Sequence, residues 1–335
     1  MSIVMTGGGT GGHLAIVGAV KEQLVGSELI YIGSTKGQDK QWFEDDNDFS
    51  HKYFFETRGV VNQKGLGKLK SLWMMFKAIL EARKLLKKHK AKVVFSVGGF
   101  SSAATAIAAK SMGIPLVIHE QNAALGSLNK LMKPYSKAFI SSYLEESPIK
   151  AYPIKEVFFE NAHIRNSINT IIFLGGSQGA RAINALALTI APELKNRGIK
   201  IIHQAGVNNI EEVKLAYEGL NIDAVVFGFT EKLVGYMNEA DFAIARAGAS
   251  TLWELSATAL PTLFIPYPYA ASDHQFYNAQ FLVEKELAWL MREEDIDENM
   301  VLNILDESME LKSKGLIQLI EKDGSKKIAQ YIKSI

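Results

Sequence analysis

Ser2-Ile3-Val4-Met5-Thr6-Gly7-Gly8-Gly9-Thr10-Gly11-Gly12-His13 opens the chain and decides its fold. The apolar run reads as a buried strand, the glycines as a tight loop, and the residues from Leu14 as a helix. The same pattern returns at Thr170-Ile171-Ile172-Phe173-Leu174, followed by Gly175-Gly176-Ser177-Gln178-Gly179-Ala180-Arg181. Two halves that each begin with strand, glycine loop and helix predict two similar α/β domains. The polar, Pro-containing segment from Ser142 to Asn169 reads as the crossing between them. The expected domains are therefore 1–160 and 161–315, with a closing helix over 316–335 that packs back on the first.

With 335 residues, 47% hydrophobic and 22% charged, the chain is globular and too long for one ordinary core. It has no cysteine, which excludes disulfides and thiolate metal sites and suits a reducing compartment. Met1 leads directly into a strand, without the basic flank and short apolar core of a signal peptide. No apolar run reaches the roughly 18 residues of a membrane span. Net charge is +1, unevenly placed: through residue 160 there are 21 Lys and Arg against 14 Asp and Glu, and 16 against 22 thereafter. The first half is expected to face an anionic surface, for which a membrane leaflet fits better than nucleic acid.

Gly7, Gly9 and Gly12 match G-x-G-x-x-G, a dinucleotide fingerprint. A nicotinamide dinucleotide site also needs an acid at the end of the second strand. Here Glu28 to Ile32 runs into Gly33-Ser34-Thr35, so that reading fails. What remains is a loop stripped of side chains, where a diphosphate or sugar approaches the backbone. His13 stands at the helix start, either as a cap or as a proton acceptor that titrates near working pH. Val93–Val97 leads into Gly98-Gly99-Phe100, another strand and turn. Leu116-Val117-Ile118-His119 ends in Glu120-Gln121-Asn122, where open α/β sheets bind ligands. These three side chains suit a sugar with several hydroxyls, or anchor the loop that follows.

In the second half, Phe242-Ala243-Ile244-Ala245 breaks into Arg246-Ala247-Gly248-Ala249-Ser250-Thr251 and a helix begun by Leu252-Trp253-Glu254-Leu255. A strand, a small-residue turn and a helix gather N–H groups and the positive end of a dipole where a phosphate would sit. Glu254, about one turn in, is placed to accept from a ribose diol. The same stretch also reads as a plain βαβ unit with a surface acid. Gln275 follows within Asp273-His274-Gln275, and Phe229-Thr230 ends another strand where a flat base could meet backbone.

Lys64 to Lys92 carries ten Lys and Arg and one acid, Glu81. Leu69, Leu72, Trp73, Phe76, Ile79 and Leu80 form a helical stripe rimmed by lysines such as Lys68 and Lys70. This is the pattern of a helix lying at a bilayer surface, or of a long helix with a solvated basic face. Glu44-Asp45-Asp46-Asn47-Asp48, at the end of a polar helix after Lys36, has a D-x-D spacing. It reads as a solvated turn rather than a metal site, as does Asp295-Ile296-Asp297.

Taken together, Gly9–His13, Val97–Phe100, His119–Asn122, Gly175–Ala180, Arg246–Thr251 with Glu254, and Asp273–Gln275 with Asn278-Ala279 resemble the MurG family. This is the family of UDP-N-acetylglucosamine–N-acetylmuramyl-(pentapeptide) pyrophosphoryl-undecaprenol N-acetylglucosamine transferases of bacterial peptidoglycan synthesis. The resemblance implies a GT-B fold, two Rossmann-like doubly wound domains separated by a cleft, and inverting transfer of N-acetylglucosamine to lipid I, forming lipid II and UDP. It assigns His13 as catalytic base with Glu120 in reserve. Donor binding falls to Thr10, Gly11, Gly12, Asn122, Arg165, Ser177, Gln178, Thr230, Ala249, Ser250, Thr251, Glu254 and Gln275. The acceptor diphosphate falls to Gly9, Thr10, Gly99 and Phe100, and membrane docking to Leu69, Leu72, Trp73, Phe76, Lys68 and Lys70. No metal ligand or tightly bound cofactor is implied, and free magnesium is compatible but not required. The implied partners are UDP-N-acetylglucosamine, lipid I, the anionic inner leaflet and cell-wall synthesis proteins, with no nucleic acid. The implied location is peripheral, on the cytoplasmic face of the inner membrane. The family usually has Tyr at Phe100 and Pro at Ile16. Its Gly-Asn-Pro-Val-Arg reads Asn161-Ala162-His163-Ile164-Arg165 here. The rival readings are a UDP-N-acetylglucosamine 2-epimerase on the same fold and a non-catalytic sugar-nucleotide or lipid-binding module.

Overall fold

A computed structural model of the chain describes residues 1–57, 66–176 and 178–335, with backbone only over 66–70. It divides into two units, Met1–Lys155 with Asp323–Ile335, and Glu156–Lys322. The first contains a parallel sheet of β1 (Ser2–Thr6), β2 (Glu28–Ser34), β3 (His51–Phe55), β4 (Val93–Ser96), β5 (Leu116–Glu120) and β6 (Ala138–Ser141), in spatial order β3-β2-β1-β4-β5-β6. Its helices are α1 (Gly11–Lys21), α2 (Asp39–Phe43), α3 (Leu66–Lys88), α4 (Ala103–Ser111) and α5 (Ser127–Met132). The second unit adds α6 (Val157–Glu160), β7 (Thr170–Leu174), α7 (Arg181–Asn196), β8 (Lys200–Gln204), α8 (Ile210–Gly219), β9 (Ala224–Phe227), α9 (Leu233–Glu239) and β10 (Phe242–Ala245). It continues with α10 (Ala249–Ala257), β11 (Thr262–Phe264), α11 (His274–Val283), β12 (Trp289–Leu290), α12 (Glu298–Ile304) and α13 (Glu310–Leu319). These strands are again all parallel, in order β12-β11-β10-β7-β8-β9. Both sheets therefore have one topology, as the recurring strand-loop-helix pattern predicts.

The strands are continuous apolar runs because both faces of each sheet are covered. All five residues of β1 are buried, and Val4 lies in register between Ile30 and Val94. Over one face, α3 packs on α4 through Ala78, Ala82, Ala104 and Ala108, small residues that let the helices approach closely. In a doubly wound sheet the chain leaves the two central strands in opposite directions and opens a crevice at their carboxyl ends. Those strands are β1 and β4 in the first unit and β7 and β10 in the second. The four small-residue loops of the sequence follow these four strands.

The closing helix expected over 316–335 does not form as one element. Helix α13 ends in the second unit, Ile320 turns to extended backbone, and α14 (Gly324–Lys333) begins after Asp323. Only α14 packs against α1. Its Ser325 hydroxyl donates to Ile154 O at 3.0 Å, and Lys333 donates to Gln23 O and Val25 O. The break places Ile320 among buried residues while the Ile328 and Ile332 face of α14 is buried in the first unit.

Candidate active site

The first site is built on the loop between β1 and α1. Helix α1 starts at Gly11 with no capping side chain from Thr10, so its positive end faces the loop. Gly9 (φ +88°) and Gly99 (φ +78°) are left-handed, and a Cβ on Gly99 would lie 2.4 Å from Gly8 O. Only glycine lets the two loops touch there. Phe100 lies over Gly9, where a Cβ would meet its ring at 2.7 Å. His13, partly exposed in the first turn of α1, has Nδ1 2.8 Å from Thr10 Oγ1 and Nε2 2.6 Å from Gln121 Nε2. If the Gln121 amide donates, as these contacts assign it, Nε2 carries the lone pair and Nδ1–H donates to Thr10. That is the tautomer of a general base. Gln121, read from the sequence as a sugar contact or loop anchor, is thus brought onto the catalytic candidate. Its signal was its place at the end of β5.

Two other candidates take different roles. Glu120 is fully buried, and its carboxylate accepts from Asn122 N (3.0 Å), Asn122 Nδ2 (3.4 Å), Gly126 N (2.9 Å) and Asn129 Nδ2 (2.9 Å). Those donors occupy both oxygens, so Glu120 anchors the 121–126 loop and holds Asn122. Asp39, missed in the sequence, is also fully buried. It accepts from Gly9 N (2.6 Å), Tyr31 Oη (3.1 Å) and Ser34 N (3.0 Å). The carboxylate absent from the end of β2 is supplied by α2, and it fixes the glycine loop rather than a ribose. The polar helix expected after Lys36 is α2. Asp46 and Asp48 of the D-x-D spacing pair with Lys21 Nζ, each at 2.6 Å, and the turn is exposed at Glu44, Asp45, Asn47 and Asp48, as expected. Asp297 N-caps α12 through Asn299 N and Met300 N.

The second site follows β7 and β10. Gly175 N donates to Gln204 O and Gly176 N to Gln204 Oε1, at 3.3 and 3.1 Å. Gln204 therefore shapes the loop that precedes α7, and Gln178 on it is exposed. Ser177 lies outside the described residues. Neither Ala180 before α7 nor Gly248 before α10 caps its helix with a side chain. Ala249, Ser250 and Thr251 form the first turn of α10, and Glu254 follows on its partly exposed side. Arg246 donates to Ile265 O and Pro266 O and pairs with Glu293 at 2.6 Å, which fixes the chain after β11. Gln275 Oε1 accepts from Tyr267 N at 3.0 Å. Thr230 is partly exposed beside the exposed Phe229, its hydroxyl accepting from Lys232 N. Arg165 lies in the second unit. Its side chain is 1% exposed, and it donates to the carbonyls of Ala240, His163, Thr258 and Met237. Burial pushes its pKa down to about 10, still charged at neutral pH. It ties β10, α9 and α10 together.

On α3, Leu72, Trp73, Phe76 and Leu80 are exposed, while Ser71, Ala78, Ala82 and Leu86 face the core. Trp73 and Phe76 stack at 5.8 Å, and Lys77 Nζ lies 5.3 Å above the Trp73 ring. The side chains of Lys68, Leu69 and Lys70 lie outside the described residues.

Two domain families match these two units, the glycosyltransferase family 28 N-terminal domain over residues 3–141 and its C-terminal domain over 170–334. A UDP-N-acetylglucosamine–N-acetylmuramyl-(pentapeptide) pyrophosphoryl-undecaprenol N-acetylglucosamine transferase of Sulfurovum sp. (strain NBC37-1) is 75% identical, covering 100% of this chain and 99% of that one. The chain belongs to the MurG family of glycosyltransferases. The homologous transferase of Sulfurimonas denitrificans is 54% identical over 98% of this chain and 97% of its own. The crystal structure of Acinetobacter baumannii MurG superposes with a TM-score of 0.80 at 25% identity, covering 100% of this chain and 99% of that one. The two parallel sheets have the GT-B topology of this family.

Proposed function

We propose that the protein transfers N-acetylglucosamine from UDP-N-acetylglucosamine to lipid I, yielding lipid II and UDP. The observation that carries this is full-length similarity, 75% identity to a transferase named for that reaction, together with both glycine-loop units. The donor belongs to the second unit. Its diphosphate lies against the Gly175–Ala180 loop and the start of α10, Glu254 holds the ribose diol, backbone at Phe229-Thr230 meets the uracil, and Gln275 meets the sugar. Helix dipoles and aligned N–H groups stabilise the departing diphosphate, an electrostatic effect that needs no resident metal.

The acceptor belongs to the first unit, with its diphosphate at the Gly9, Thr10, Gly99 and Phe100 loops. The C4 hydroxyl of N-acetylmuramic acid gives its proton to His13 Nε2, displacing the Gln121 amide, as it attacks the anomeric carbon with inversion. Thr10 Oγ1 accepts from Nδ1–H and holds that tautomer through the step. Phe100 needs no hydroxyl in this scheme, because its ring only covers Gly9.

The exposed face of α3 docks on anionic lipid, with Leu72, Trp73 and Phe76 entering the interface and Lys77 and Lys84 at the headgroups. In a bacterial cell this places the protein peripherally on the cytoplasmic leaflet, where lipid I is presented. No helix among the described residues is long and apolar enough to cross a membrane.

Incubating the chain with UDP-N-acetylglucosamine and a short-chain lipid I analogue, then identifying products by mass spectrometry, tests the reading. Disaccharide lipid and UDP in equal amounts are expected. Conversion of the donor to its manno isomer without acceptor would identify an epimerase. Binding without UDP release would identify a non-catalytic module.

A further inference from the structure

The amino-terminal ends of the first unit's strands, opposite the glycine loops, carry a second cluster. Glu28 is the first residue of β2, His51 the first of β3, and His89 follows the last residue of α3. One ligand atom from each lies within 4.8 Å of the other two. The His51 and His89 rings are 4.5 Å apart, and His89 Nδ1 is 3.9 Å from Glu28 Oε1. His89 is buried while Glu28 and His51 are exposed.

We propose that Glu28, His51 and His89 form a Zn2+ site that fastens the carboxyl end of α3 to the edge of the N-terminal sheet. Two imidazoles and a carboxylate are a donor set that zinc takes, with water in the fourth position. His89 is already oriented for it. Its Nε2 is 2.8 Å from Tyr53 Oη, and donation of Nε2–H to that oxygen leaves the Nδ1 lone pair facing Glu28 and His51. Bonds of about 2.0–2.2 Å set ligand atoms roughly 3.4 Å apart in a tetrahedron. The exposed Glu28 and His51 side chains close that gap by rotating inward toward the fixed His89. Lys88, whose Nζ is 6.0 Å from the Tyr53 ring centre, works against a cation here, but it is exposed to solvent that screens it. The metal would tie β2, β3 and α3 at one point, which steadies the helix that carries the apolar face.

Calorimetric titration of the full chain with Zn2+ at pH 7.5, with Co2+ as an absorbing substitute, tests this. One ion per chain is expected, with Kd at or below about 10 µM, a tetrahedral Co2+ visible band, and a higher melting temperature in Zn2+. His51→Ala and Glu28→Gln, both at exposed positions, are each expected to weaken binding at least tenfold and abolish the Co2+ band. Tyr53→Phe is expected to weaken it less and keep the stoichiometry. Absence of one-to-one binding, or unchanged affinity in both His51→Ala and Glu28→Gln, would overturn the assignment. The chain's other five histidines would then account for any zinc taken up. Should one variant not fold, the other carries the test.

Discussion

His13 lies between Thr10 and the Gln121 amide, and kinetics separate the proposed catalytic role from a capping role. His13→Ala is expected to lower kcat by about 100-fold or more with little change in donor KM. Thr10→Val is expected to lower kcat about tenfold, because the ring loses the partner that sets its tautomer. Near-normal turnover in His13→Ala removes it as base. Arg165→Met is expected to destabilise the second unit by about 3 kcal/mol or more, since several buried carbonyls lose their donor. Urea midpoints measure this, and a raised donor KM without loss of stability would show that Arg165 acts in donor binding instead. Arg165 and Glu120 show what residue order leaves out. A charged side chain at a strand end or domain crossing looks like a ligand-binding group, yet Arg165 spends its donors mostly on carbonyls from far along the chain, and Glu120 its oxygens on Asn122, Gly126 and Asn129 just after it. Glycines were legible because a turn with positive φ leaves few other choices.

At the scale of elements, the strand-loop-helix units were legible from apolar runs that end in glycine. Less was legible between β2 and β3. A short helix with one buried acid has no periodicity to announce it, so Asp39 was not seen as the group that holds Gly9. Asp39→Asn is expected to cost about 1–3 kcal/mol in stability and to lower turnover, because one strong acceptor of the loop N–H becomes weaker and one oxygen becomes a donor. Unchanged stability would mean that the loop is held elsewhere. The break between α13 and α14 was hidden for a different reason. Both segments are charged and helical in pattern, and only packing on different units separates them. In α3 the pattern was informative because two faces are apolar, one toward the sheet and one outward. Trp73→Glu with Phe76→Glu is expected to abolish sedimentation with anionic vesicles while leaving turnover of a water-soluble acceptor unchanged. Retained vesicle binding would assign that face another partner.

Across the whole molecule, each unit buries one neutral histidine within its sheet. In the first, His119 is fully buried and its pKa is pushed down to about 3 by burial, then by His13. In the second, burial pushes His203 down to about 4, with Tyr217 Oη and Asn184 Oδ1 at 2.9 and 3.0 Å. Both folded values lie below the ordinary 6.5. The unfolded chain therefore takes up these protons first as pH falls. The stabilisation is complete above about pH 6.5 and is lost as pH drops toward 4, by up to about 1.4 kcal/mol per pH unit for each histidine. Denaturation between pH 7 and 5 is expected to show that slope, and His203→Gln to flatten it for the second unit. A flat profile in the unmodified chain contradicts the burial argument.

The division of labour between the units rests on a paired kinetic measurement with a lipid I analogue and UDP-N-acetylglucosamine. His13→Ala should lose kcat at unchanged donor KM, and Glu254→Ala should raise donor KM about tenfold or more while retaining most of kcat. If instead Glu254→Ala leaves donor KM unchanged and His13→Ala raises it, the donor is held by the first unit and the account is wrong.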